Sequence, residues 1–299
     1  MDRSTPQGIL LAFLAYSAYA VSDASVKLLH GTLSVYEAVF FGSLSGVLAL
    51  PLLRRPGERL SDVFRARKPL MWFARAGAAL TGSVGSVLAF THLSMAEAFS
   101  LLFLMPTFVT ILSVAFLRES VGWRRWLAVL MGFAGVLVVL RPGFRELNIG
   151  HLGAVLGGLS GAFTVVMLRA FGQTETRLSL YGAGLIGPIV GGGLLMLPSF
   201  VWPTPLQWVW LMGYGLLMAA GNILVMLASA RIPASLVAPA QYSQMIWAIA
   251  LGYLVFGDGV DAMMTVGVTI IIISGIFTFR RESVRRPRGW RRVPPVHPQ

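Results

Sequence analysis

Cysteine is absent from the 299 residues, and with it go a disulfide framework, a thiolate nucleophile and any cysteine-ligated metal site. Charge is scarce too: 12% of residues are charged and 56% hydrophobic, where an ordinary soluble domain is roughly a quarter charged. That excludes a soluble enzyme of ordinary composition. The four histidines, His30, His92, His151 and His297, are scattered, and none forms the two-histidine helix motif of zinc peptidases. No Gly-x-Ser-x-Gly elbow occurs, since Gly158-Leu159-Ser160-Gly161 has the wrong spacing. A phosphate-cradling Gly-x-x-x-x-Gly-Lys loop is missing as well. The chain is therefore expected to be no enzyme and to use no metal or cofactor.

Apolar runs fill the remaining space. Read between breaks of Arg, Pro, Gly and Asp, they place ten spans near 8–29, 36–53, 70–91, 97–117, 123–140, 150–171, 178–198, 207–229, 235–256 and 262–280. Each covers a hydrocarbon core of about 30 Å at 1.5 Å rise per residue. The first has no basic leader or small-residue cleavage site and is read as retained. Cations set the orientation, because cytoplasmic loops keep Lys and Arg. On one side lie 21 of the 24, Arg75 among them, against Lys27, Arg141 and Arg145 on the other. Both termini are thus expected in the cytoplasm. The net charge of +12 hugs span ends without interleaved aromatics, which argues for membrane lipids and against nucleic acid.

The halves repeat weakly. Ala20-Val21-Ser22 through Lys27 matches Ala162-Phe163-Thr164 through Arg169 at an offset of 142, and Glu119 matches Asp258 at 139. Five spans per copy is an odd number, so the second copy enters the membrane from the opposite side. Two domains follow, 8–141 and 150–281, with a basic cytoplasmic tail at 282–299. Inverted halves are a device of secondary transporters, which bind substrate near the midplane and rock one half against the other.

The stretches Ser100–Glu119, with Phe103-Leu104-Met105-Pro106 inside it, and Ala238–Asp258, with Pro239-Ala240-Gln241-Tyr242-Ser243-Gln244, resemble the drug/metabolite transporter superfamily in its ten-span EamA branch. Within the branch the chain is similar to the YddG-type exporters of aromatic and other amino acids. The resemblance implies an all-α membrane protein of two inverted five-helix repeats around a central cavity lined by spans one, three, four, six, eight and nine. It also implies alternating-access export of amino acids, aromatic ones included. Other members move riboflavin, cofactors or other metabolites, and a lipid-headgroup flippase is a third possibility. The expected partners are a small-molecule substrate and membrane lipids, with the carrier a monomer.

Ionisable groups inside spans are costly and become functional candidates by default. Asp23 and Lys27 stand four residues apart on one helix face and are expected to neutralise each other, unless Lys27 snorkels or meets a substrate carboxylate. Glu37, His92 and Glu97 fall at outer span ends and either ring a vestibule with Lys27 or are solvated loop residues. Asn222, Gln241, Tyr242 and Gln244 offer donors and acceptors within the membrane, while Tyr16, Tyr19, Phe163, Tyr242 and Trp247 are candidates for an aromatic cavity wall. The substrate-binding set is accordingly Tyr19, Lys27, His92, Phe163, Asn222, Tyr242, Gln244 and Trp247. Pro106, Pro188 and Pro239 are candidate hinges, Pro106 and Pro188 by freeing the carbonyls of Leu102 and Gly184. Small-residue stripes in the third span (Ala74, Ala78, Gly82, Ser86 and Gly77, Thr81, Gly85, Ala89) and Gly153, Gly157 and Gly161 in the sixth point to close helix packing.

Overall fold

The computed structural model describes residues 4–54, 57–118, 122–141, 146–171, 175–232 and 238–282. The basic tail from 283 onward, Glu119, Arg145 and Pro233 lie outside the described residues, as do the side chains of Arg169 and Pro239. Among the described residues each of the ten expected spans contains helix. The helices are α1 (Ser4–Lys27), α2 (Val35–Gly46), α3 (Pro69–His92), α4 (Met95–Leu102), α5 (Met105–Leu117), α6 (Trp123–Leu140), α7 (Ile149–Phe171), α8 (Arg177–Met196), α9 (Pro205–Arg231), α10 (Ser243–Phe256) and α11 (Ala262–Glu282). The second span continues from α2 through a 3-10 turn to Leu53, and the ninth begins with the 3-10 turn Ala238–Tyr242. Among the described residues seven spans are long and apolar enough to cross a membrane, counting Met95–Leu117 as one; Trp126–Leu140 and Ala262–Ser274 are shorter apolar helices. The chain is an all-α, multi-pass membrane protein.

Local chemistry sets the helix starts. Ser34 Oγ accepts the Glu37 N–H while Glu37 accepts the Ser34 N–H, and Thr204 and Gln207 form the same reciprocal cap, satisfying donors that a helix leaves orphaned. Pro69 and Pro205 each open a helix, where a missing N–H costs nothing. The tetrads Pro69-Leu70-Met71-Trp72 and Pro205-Leu206-Gln207-Trp208 stand 136 residues apart at equivalent helix starts. Arg118, Arg141 and Gly257 close α5, α6 and α10 in the left-handed conformation.

The fourth span is broken at Phe103-Leu104, and Pro106 sits in the first turn of α5. It therefore restarts a helix where one has already ended. Pro188 lies inside an uninterrupted α8.

Helices pack in pairs: α1 lies along α9, α3 along α7, and α6 along α11. Small residues permit these approaches. A Cβ at Gly85 would stand 2.5 Å from the Gly153 carbonyl oxygen, and one at Gly153 would stand 2.6 Å from that of Gly85. Gly135 and Gly267 face each other in the same reciprocal way between α6 and α11. Of the third-span stripe, Gly85 is at a contact while Gly77 faces open space.

The core is uneven along the bundle. One continuous cluster joins Ala20, Ala24 and Val26 of α1 to Val87 and Phe90 of α3, Met95–Leu101 of α4, and Met245 and Ala248 of α10. These residues belong to the span halves that end at Lys27, His92, Met95 and Phe256. Towards the opposite end the helices are held by separate small clusters: Ala12, Ala228 and Ile232 between α1 and α9; Trp72, Ala76 and Ala183 between α3 and α8; Val109, Ala162 and Val166 between α5 and α7.

Candidate substrate site

The pairs α1/α9 and α3/α7 make two walls that share one core cluster near Lys27 and hold separate small clusters further along. On the first wall the Tyr19 hydroxyl donates to Asn222 Oδ1 at 2.9 Å. Tyr16 meets the Tyr19 ring edge-on at 5.7 Å. Asn222 is exposed despite its position mid-helix, so the polar pair lies at the wall's surface. From the ninth span the Trp247 Nε1–H donates to Ser17 Oγ at 2.8 Å. Gln244 is buried one turn before Trp247, and Phe163 is half-buried on α7.

At the mid-span breaks the ring of Tyr242 stacks on Phe103, 5.5 Å between centroids and 23° between planes. The two residues stand 139 apart, the offset at which the fourth and ninth spans repeat. A small cavity of about 20 Å³ next to this stack is lined by Pro106, Thr107, Thr110, Gly132, Ile271 and Ser274 with the two rings.

Lys27 does not pair with Asp23. Its Nζ sits 2.7 Å from Asp258 Oδ2 and donates to the Leu93 carbonyl at 3.0 Å, with the Phe256 ring 4.9 Å away. Asp258 Oδ2 also accepts the Met95 N–H at 2.9 Å. The helical spacing of Asp23 and Lys27 was outweighed by a carboxylate already fixed at the start of α4. Lys27 thereby ties α1 to the fourth and ninth spans. Asp23 is buried in α1.

Glu37, His92 and Glu97 do not form a ring with Lys27. Glu37 accepts the N–H groups of Ser34 at 2.7 Å and Val201 at 2.5 Å. Glu97 and His151 are buried together, Oε1 to Nε2 at 3.2 Å, joining α4 to α7. His92 is exposed and packs edge-on against His30 at 5.5 Å. With Arg141 pairing Asp261, this end of the bundle carries two cross-helix ion pairs beside the Glu97–His151 contact.

Arg75 is the polar group that sequence reasoning counted only as a loop-side charge. It lies six residues into α3, about 9 Å along the helix. Its Nη1 donates to Thr164 Oγ1 of α7 at 2.9 Å. Its Nε is buried without an acceptor. Gly184 of α8 leaves room for Nη2, which would stand 3.2 Å from a Cβ there. An ionisable group within a span is costly and becomes a functional candidate by default. Thr164 stands 142 residues after Ser22, whose Oγ donates to the Tyr214 carbonyl of α9 at 2.8 Å. The aligned hydroxyls thus bridge the two walls' helix pairs.

Comparison with known proteins fits this architecture. Residues 6–141 match the EamA-like transporter family. The chain is 26% identical over 279 residues to the S-adenosylmethionine uptake transporter of Rickettsia conorii, covering 92% of this chain and 93% of that one. It is 28% identical over 290 residues to the riboflavin transporter of Vibrio cholerae, covering 94% and 96%. To the pseudopaline exporter CntI of Pseudomonas aeruginosa it is 29% identical over 280 residues, covering 92% and 96%. A solved crystal structure with 18% identity superposes over 96% of this chain and all of that one with a TM-score of 0.61, a likeness of fold alone.

Proposed function

We propose, from the premise that the chain belongs to the EamA-like transporter family through residues 6–141, that this membrane transporter is a secondary carrier exporting amino acids, aromatic ones included, across the bacterial inner membrane. Both termini lie in the cytoplasm. The two five-span halves, 8–141 and 150–281, are inverted copies. The pairing of helices supports that reading: exchanging each span for its counterpart turns the α1/α9 pair into α7/α3 and returns α6/α11 to itself.

The observation that carries the proposal is the divided core. Walls that share one hydrophobic cluster near Lys27 and hold separate clusters at the far end support a carrier whose substrate space opens away from Lys27. Under the charge asymmetry of the loops that opening faces the cytoplasm. Tyr19, Asn222, Phe163, Gln244 and Trp247 supply its aromatic and hydrogen-bonding surface, and the Tyr242 stack on Phe103 forms its floor. Lys27 acts in the closed end, with His92 at the rim. Pro106 and Pro239 lie at the two breaks on which the fourth and ninth spans bend, and Pro188 loosens α8. Export follows when the ionic contacts at the Lys27 end open and the divided end packs together.

A second reading, transport of a larger metabolite such as riboflavin or S-adenosylmethionine, is favoured by what the relatives carry by name. Both readings are tested by flux of labelled phenylalanine, leucine, riboflavin and S-adenosylmethionine in liposomes holding the purified protein. Saturable phenylalanine flux that falls in Asn222→Ala and Trp247→Ala supports the amino-acid reading. Flux of riboflavin or S-adenosylmethionine alone replaces it with the second.

A further inference from the structure

We propose that Arg75, on the wall formed by α3 and α7, is a binding site for the carboxylate of the transported solute. This deepens the carrier reading and rests on it. Three observations converge on the guanidinium. It is placed within a span, six residues from the start of α3, where an ionisable group is costly and a functional candidate by default. Among the described residues it forms no ion pair with an acidic side chain, and its one hydrogen bond goes from Nη1 to the neutral Thr164 hydroxyl. Its Nε–H is buried with no acceptor.

A guanidinium offers five donors in a rigid fork that matches a carboxylate bidentately. Thr164 occupies Nη1 and orients the plane. The side of the fork left over is Nε with Nη2, and Nη2 stands where Gly184 has no side chain. Pro188, four residues on, removes the helical donor of the Gly184 carbonyl, so α8 lacks one backbone hydrogen bond where it covers Arg75. A solute carboxylate that enters as α8 shifts satisfies the orphaned N–H and neutralises the charge in one step. A neutral analogue does neither. The site therefore selects carboxylates over the corresponding amides.

The test is ligand-dependent thermal stability of the purified full-length protein in nanodiscs, with phenylalanine and benzoate beside phenylalaninamide and benzamide, in phosphatidylcholine and in phosphatidylglycerol. The variants are Arg75→Gln, Arg75→Lys and Thr164→Val. Expected is stabilisation by the two carboxylates and not by the amides, in both lipids, with apparent affinity weakened roughly tenfold or more in Arg75→Gln and partly in Arg75→Lys, which keeps the charge without the fork. Thr164→Val, which keeps the guanidinium and frees its orientation, is expected to weaken carboxylates alone and stands in if Arg75→Gln does not fold. Equal stabilisation of wild type and variants overturns the proposal. So does indifference of the wild type to every carboxylate, and so does an Arg75-dependent effect of phosphatidylglycerol only, which assigns the cation to lipid. Arg75-dependent carboxylate binding without flux of the same solute sinks the carrier reading for that solute and leaves the site standing.

Discussion

The ring of Tyr242 lies stacked on that of Phe103, 23° from parallel, and each ring marks the point where its own span stops being a continuous helix. The contact joins the break in the fourth span to the start of α10 in the ninth. An aromatic pair adds about 0.5–1.5 kcal/mol beyond its buried area. Tyr242→Phe is therefore expected to unfold like wild type in a detergent melt and to keep flux. Tyr242→Ala and Phe103→Ala are each expected to lower stability by about 1–3 kcal/mol and to lower flux. A Tyr242→Ala variant as active as wild type would remove the stack from the transport cycle.

Lys27 and Asp258 form an ion pair between α1 and the end of the ninth span. Lys27→Met leaves a half-buried carboxylate that keeps, among the described residues, the Met95 N–H as partner, and the expected loss is about 1–3 kcal/mol of stability. Because the chain has no cysteine, a single Ala24→Cys reports on the closure directly. Ala24 is 6% exposed in the continuous core. Its thiol is expected to resist a membrane-impermeant maleimide added outside and to react several times faster once Lys27→Met is combined with it. Equal rates would show that the ion pair does not gate that end.

Close helix packing predicts a sharp contrast between neighbouring glycines. Gly85→Ala drives a methyl into the backbone of α7 at Gly153, and overpacking of this kind costs about 1–3 kcal/mol. Gly77→Ala, two turns away with nothing within 4 Å, is expected to be neutral or up to about 1 kcal/mol stabilising through helix propensity. Paired melts of the two variants check it.

Glu97 and His151 hold α4 to α7 from buried positions. Glu97→Ala removes the acceptor and is expected to destabilise by about 1–3 kcal/mol. Glu97→Gln keeps an acceptor oxygen and recovers most of that loss in the same melt.

Hydropathy alone made the spans legible, because a membrane helix announces itself by twenty apolar residues in a row. Partners across the bundle were not legible. Lys27 meets an aspartate 231 positions away, while the acid one turn off on its own helix is the one local spacing favours. Arg75 was hidden by its position near a basic loop, where a count of cations by side takes no notice of depth. The Pro-Leu-x-Trp tetrads at 69 and 205 were a readable signal of the repeat that the offsets around Lys27 and Asp258 left aside. The break in the fourth span was anticipated from Pro106, but the chain turns one step earlier, at Phe103-Leu104, so the proline preserves the new helix more than it bends the old one.

Glu37 gives one oxygen to the first turn of its own helix and the other to Val201, in the link between α8 and α9. A carboxylate shared in this way acts as a pin through two parts. Any motion that keeps both hydrogen bonds carries the head of the second span and the link after the seventh together.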